Sequence, residues 1–366
     1  MTPLADKLHQ MIAQDGPMRV DSYMQQCLLD LDCGYYSTKT AIGAEGDFIT
    51  APEVSQIFGE MLAAFHAHLY ALFQAPETVI TFEAGPGRGT LLQDMRRAYQ
   101  ALQPALYHAP CYLLEDSDKL KQQQTEAIAP HKAHHIHKMS ALAPAPLFGV
   151  ANEFFDALGV RQAVFKNKQW HERRIDSNNH GFSFITSEPL ADLQNWHLPA
   201  SADEGDIIEY SPLGEAIMAQ MAHHIAHYGG GLLLIDYGKS DNHGDTLQAV
   251  RQHRPSDILS YQGESDITHW VDFNRLAIIA KQQKARLIGP VSQGRFLKEL
   301  GIGQRAEALR KADKPEEDRA LMAAIDRLVS PAHMGGAFKV CLLVPDGEGV
   351  PPGFLSLSDT HKGYET

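Results

Sequence analysis

Glu83, Glu115 and Glu153 each stand where a short apolar run ends, and Asp156 follows Glu153 by three residues. Glu83 opens the stretch Glu83-Ala84-Gly85-Pro86-Gly87-Arg88-Gly89-Thr90. Gly85 supplies a sharp turn, and Gly87 and Gly89 remove Cβ atoms where a ligand and a helix must approach the backbone. Glu115 closes the run Cys111–Leu114, where an acid can accept both ribose hydroxyls of a nucleoside as charge-assisted hydrogen bonds. It can equally cap the segment that follows, in which Ser117 and Asp118 are helix starters. On a helical turn the carboxylates of Glu153 and Asp156 face the same way. Such a pair suits a cationic acceptor. A guanidinium offers five donors and keeps its proton above pH ~12, so attack by its nitrogen needs carboxylates to orient it and take the proton. An acidic helix start favoured by the dipole is the alternative.

The elements that must position these acids read as an α/β sheet. Val79–Phe82 is a β-branched strand, the glycine stretch is a loop, and Leu91, Leu92 and Met95 begin a helix. A dinucleotide fingerprint needs G-x-G-x-x-G, but here the third glycine falls one residue early and Thr90 takes its place. Strands are expected at 111–114, weakly at 135–137, and at 147–151, with a helix over 118–129. Val160–Phe165 and Trp170–Ile175 suggest a hairpin around Asn167-Lys168, and 176–204 reads as a loop or small excursion. Ser211-Pro212 starts a helix that Gly229-Gly230-Gly231 ends. Leu232–Ile235 reads as a buried central strand and 337–344 as the last strand, with a frayed tail from Asp346. Residues 239–330 are too long for one crossover and are expected as a helical insertion. Upstream, 1–45 is helical and then loop-like. Thr50 and Glu53 form a capping box with Pro52 in the first turn, before an apolar stripe from Val54 to Leu72.

The chain has 366 residues, 44% of them hydrophobic, and a net charge of −13, the balance of 32 basic and 45 acidic residues. It holds no run of Lys and Arg and no basic stripe interleaved with aromatics, which argues against a nucleic-acid partner. Cys27, Cys33, Cys111 and Cys341 are scattered with no C-x-x-C pair, as expected of thiols in a reducing compartment. No signal-peptide core or Arg-rich transit segment is evident, and runs such as Leu232–Ile235 are too short to span a bilayer. A cytoplasmic location follows, or the mitochondrial matrix for a processed eukaryotic form.

Three further groups invite chemistry. Asp236-Tyr237-Gly238 ends a second strand, where the tyrosine could line a pocket or simply fill the core. His131, His134, His135 and His137 alternate along a short strand without a carboxylate or cysteine companion, so no metal is expected. His223, His224 and His227 suit a helix C-terminus.

Taken together, these blocks resemble the MidA-like family of S-adenosylmethionine (SAM) methyltransferases. The acid-x-G-x-G-x-G stretch is similar to motif I of class I enzymes. The other matching blocks are Gly34-Tyr35-Tyr36, Gly46 through Ser55, Asn152 through Leu158, Ile235 through Gly238, Gly263 through Asp266 with Val271-Asp272-Phe273, Gln293 through Leu297, and Met334-Gly335 with Phe338-Lys339-Val340. They run in order over nearly the whole chain. Gly159 departs from the pattern, standing where the family usually has proline.

The resemblance implies a Rossmann-like, mostly parallel sheet with helices on both faces. The core would comprise 76–238 and 331–345, with an excursion at 160–206. Residues 1–75 would pack on it as a helical segment, 239–330 would form a helical substrate domain, and 346–366 a flexible tail. It implies SAM on Glu83, Gly85, Pro86, Gly87, Gly89, Glu115 and Asn152. It implies Glu153 and Asp156 as catalytic acids, assisted by Asp47 and Glu53. The implied substrate is an arginine on a partner protein, a complex I-type subunit in the eukaryotic members. A different class of function stays open beside it, an assembly factor that keeps a SAM pocket but grips its partner with aromatics such as Trp270, Phe273 and Phe296.

Overall fold

The structure, a computed structural model, describes residues 2–38, 50–191, 193, 194, 196–240, 244–311 and 313–355. Asp47 lies outside the described residues. The chain divides into two compact units, each assembled from three stretches: 1–48, 155–217 and 238–274 in one, and 49–154, 218–237 and 275–366 in the other. The expected boundaries differ, because the excursion after 160 and the first third of 239–330 belong with the N-terminus rather than with the glycine-loop unit.

The unit that carries the glycine loop begins with a single-turn helix α1 (Ala51–Val54) and the helix α2 (Gln56–Leu72). The expected capping box does not form, because the Thr50 side chain makes no cap bond. Ser55 instead breaks the two helices with an extended φ of −163° and caps α2 at Ile57 N. There follow β1 (Ile80–Ala84), α3 (Thr90–Leu102), β2 (Cys111–Leu114), α4 (Asp118–Ala127), β3 (Ala133–Ile136) and β4 (Leu147–Asn152). Later stretches add β5 (Gly230–Lys239), β6 (Ala285–Ser292), α5 (Gln293–Glu299) and β7 (Phe338–Pro345).

The strands lie in the order β3-β2-β1-β4-β5-β7-β6. β1 to β5 run parallel and β7 runs antiparallel to both its neighbours. The order reverses between β1 and β4, the point at which open α/β sheets bind ligands at their carboxyl ends. Every residue of β1 and β4 is buried, as expected for strands covered on both faces. α2 buries Phe58, Leu62, Phe65, His66 and Leu69 in this core, with His66 Nδ1 2.6 Å from the Tyr99 hydroxyl of α3.

Among the described residues the segment 239–330 holds four helices, as expected, but it is not a separate helical insertion. It contributes β6 to the main sheet, and its first third forms the strands Gln248–Arg251, Arg254–Ser256 and Asp266–Thr268 of a small antiparallel sheet. The tail from Asp346 is not frayed through Leu355: Phe354 is buried against Phe65 and Phe296.

The other unit pairs Arg161–Lys166 with Gln169–Asn178 across Asn167 and Lys168, whose φ values of 51° and 62° make the two-residue turn that matches strand twist. The hairpin is thus as expected. Residues 176–204, expected as a loop or small excursion, supply a further strand, Gly181–Pro189, along the outer edge of Gln169–Asn178. Leu4, Leu8, Tyr23, Met24, Val160 and Ile175 form this unit's core.

Candidate active site

At the carboxyl end of β1 the chain turns through Gly85, Gly87 and Gly89 at φ of 62°, 52° and 85°. A Cβ on Gly85 would sit 2.9 Å from the Phe154 ring. The loop therefore packs against the residue after Glu153, and the left-handed backbone itself excludes branched side chains. Gly89 begins α3, and Gln124 of α4, fully buried, donates from Nε2 to the Gly87 carbonyl at 2.8 Å.

Glu83 is 4% exposed, and one of its carboxylate oxygens is buried with no hydrogen-bond partner. Burial alone pushes its pKa up to about 8. At neutral pH the carboxyl holds its proton until a cation or donor arrives. Asn152, at the end of β4, donates from Nδ2 to Glu153 Oε1 at 3.1 Å, while its own oxygen is buried without a partner. Buried acceptors awaiting donors, next to a glycine loop that bares its backbone, fit a donor-rich cation such as the aminoacyl and sulfonium end of SAM.

Glu115 lies across the switch point at the end of β2. It accepts from Ser117 N at 2.8 Å and from Gln124 Nε2 at 3.1 Å, and burial is the largest influence raising its pKa. The contacts show the acid engaged with the segment that follows it. The acid braces the segment after β2, and it stands at the strand end where a nucleoside's ribose would lie.

Glu153 adopts φ of 50°, an uncommon backbone for a non-glycine residue. Its N–H donates to the Ile235 carbonyl at 2.8 Å, and Oε1 accepts from Ala51 N at 3.3 Å. The acid is therefore tied to β5, to β4 and to the first residue of α1. Glu53, on α1, accepts from Arg88 Nη2 at 2.6 Å and from the Thr90 hydroxyl at 2.7 Å. It faces the glycine loop rather than closing its own helix.

Asp156 belongs to the other unit, so the two acids of the pair are anchored separately. It is 5% exposed, and its carbonyl accepts from His269 N at 3.1 Å. The Tyr36 hydroxyl donates to Asp266 Oδ1 at 2.9 Å, and burial first, then the charges of Asp266 and Asp156, hold that phenol well above its usual range. A Cβ on Gly263 would lie 2.1 Å from the Cys33 carbonyl, which explains the glycine there. Gly34–Tyr36, the part of the acidic block from Asp156 onward, and Gly263–Asp266 thus meet inside one unit.

Several residues important to the geometry carried no sequence signal. Gln124 reads as an ordinary surface glutamine of a polar helix, Arg88 as filler between glycines, and Thr90 as the residue that merely follows the last of them. The histidines have other engagements. His131 Nε2 is 2.8 Å from Tyr107 Oη, His135 Nε2 2.9 Å from Gln124 Oε1, and His134 stacks on Tyr112. Among the described residues no group of three or more His, Cys, Asp or Glu side chains could hold a metal. Phe273 and Phe296 are core residues at 1% and 0% exposure, so they present no grip for a partner. Tyr237 packs edge-on against Phe338.

Comparisons with known proteins bear on the family and the fold. Residues 61–291 match the family described as S-adenosyl-L-methionine-dependent methyltransferase. The Drosophila melanogaster protein named protein arginine methyltransferase NDUFAF7 homolog, mitochondrial, is 30% identical over 370 residues, covering 93% of this chain and 85% of its own length. The Homo sapiens protein arginine methyltransferase NDUFAF7, mitochondrial, is 30% identical and covers 94% of this chain and 84% of its own. A superfamily relative from Burkholderia thailandensis, crystallised with S-adenosyl-homocysteine, superposes with a TM-score of 0.83 at 27% identity, covering 97% of this chain and 94% of that one. The chain belongs to the MidA-like family of SAM-dependent methyltransferases, and SAM is its cofactor.

Proposed function

We propose that this methyltransferase modifies arginine on a partner protein, with Glu153 as the acid that receives the acceptor nitrogen. The observation that carries the reading is the strained Glu153 backbone at the carboxyl end of β4, φ 50°, with the carboxylate fixed by Ala51 and Asn152. The names of the Drosophila and human relatives support the same substrate class. SAM would rest on Glu83, Gly85, Pro86, Gly87, Gly89, Glu115 and Asn152, and when bound it supplies an electrophilic methyl. The chain must hold the acceptor nitrogen in line at ~3–3.5 Å and take a proton that free arginine keeps above pH ~12. Asp156 and Asp47 are proposed as assisting acids on their sequence positions alone.

A complex I-type subunit is the partner we propose. The compartment is a reducing one, cytoplasmic or, as for the named relatives, mitochondrial. No helix among the described residues is long and apolar enough to cross a membrane.

The test is Glu153→Gln with tritiated SAM and a complex I-type acceptor. Affinity for S-adenosylhomocysteine should stay within about twofold while methyl transfer falls by at least ~100-fold, the size expected of a lost general base. Label recovered as methyl-lysine or on a small molecule would overturn the arginine assignment. Undiminished transfer would remove Glu153 from the chemistry.

A further inference from the structure

The sequence reading placed Glu53 among the catalytic acids, and its contacts point elsewhere. One oxygen takes the Arg88 guanidinium and the other takes the Thr90 hydroxyl, so a single carboxylate grips the two residues on either side of Gly89. The Glu53 side chain is 13% exposed and that of Arg88 37%, so the pair is only partly screened by water. Gly89 is the left-handed residue that starts α3, and Thr90 is the first residue of that helix. Freed from Glu53, the loop would keep its own internal bond, Gly89 N to the Pro86 carbonyl at 2.8 Å, and the Gln124 bond at Gly87. It would lose the tie to α1. The same short helix offers Ala51 N to Glu153, so α1 fastens the cofactor loop with one residue and steadies the strained acid with another.

We infer that Glu53 is a positioning residue that clasps the glycine loop through Arg88 and Thr90 and so sets SAM affinity, without touching the acceptor. This rests on the reading that Gly85–Gly89 holds the donor. Loss of a charge-assisted hydrogen bond pair should weaken donor binding by roughly tenfold. Arg88→Met should do the same, and the double variant should be no weaker than either single one, because both remove the same contact. Thr90→Val removes half of the clasp without a charge change and should weaken binding by about threefold.

The experiment measures S-adenosylhomocysteine affinity by calorimetry for wild type, Glu53→Gln, Arg88→Met, the double variant and Thr90→Val, each with its ligand-free melting temperature. Gly87→Val serves as the control for the loop. Transfer of tritium from labelled SAM to protein acceptors is then followed at limiting and saturating donor. For Glu53→Gln the clasp predicts weak transfer at limiting donor and transfer within twofold of wild type at saturation. Unchanged affinity with transfer lost at saturating donor would overturn the proposal and restore Glu53 as a catalytic acid. Independent, multiplying losses in the double variant would also overturn it. If Gly87→Val and all the others bind normally, the loop itself has been misread, and that failure is distinct from the failure of the clasp.

Discussion

Glu83 carries a conflict between stability and binding. A free glutamate ionises near 4.5, while this one is pushed up to about 8 by burial. Between those values the folded chain holds a proton that the unfolded chain releases, so stability falls as pH rises through that window. Each unit of difference is worth about 1.4 kcal/mol. Glu83→Gln keeps the shape and cannot ionise. It should melt a few degrees above wild type at pH 8, match it near pH 4, and lose about tenfold in SAM affinity. Calorimetry and thermal melts at both pH values check this, and equal melting at pH 8 would deny the buried charge its cost. The strand end that carries Glu83 was legible because alternate glycines after an apolar run have few other uses. The capping box was misread because Thr50-x-x-Glu53 looks the same whether the glutamate bends back to its own helix or reaches Arg88, 35 residues on.

At the scale of elements, α4 acts as a brace. Its Gln124 donates to the Gly87 carbonyl and to Glu115 and faces His135 of β3, so one buried amide joins loop, strand end and sheet edge. Gln124→Leu should leave buried acceptors unsatisfied at a cost of about 1–3 kcal/mol, and raise the Kd for S-adenosylhomocysteine by roughly tenfold. Unfolding in urea and calorimetry read the two effects, and a variant that loses stability but binds normally would separate the brace from the site. The central strands were legible from their apolar, β-branched runs. Gly181–Pro189 and Gln248–Ser256 were not, because their residues are largely half-exposed and polar. Each pairs across a tight turn with the strand beside it in the chain, so backbone hydrogen bonds rather than an apolar pattern define it.

The whole molecule is built from interleaved stretches, and this was the least legible level. Each return of the chain to a unit depends on packing that no local window contains, so one long segment read as an insertion when it serves both units. The cofactor assignment, by contrast, has a global readout. SAM or S-adenosylhomocysteine at about 100 times its Kd should add ~2.7 kcal/mol to the folded state and raise the melting temperature by a few degrees. NAD should give no shift, since the third glycine comes too early for a dinucleotide. A shift with NAD alone would contradict the glycine spacing.

Phe354 has a practical bearing. It lies beyond β7 and seals Phe65 of α2 and Phe296 of α5, and the Arg295 guanidinium donates to the Leu355 carbonyl. Anyone trimming the molecule for crystallisation or attaching an affinity handle would be tempted to stop at the last strand. Ending there would strip the stopper from the aromatic nest and leave a greasy, self-adhering face. A cut or a fusion must therefore spare the chain through Leu355.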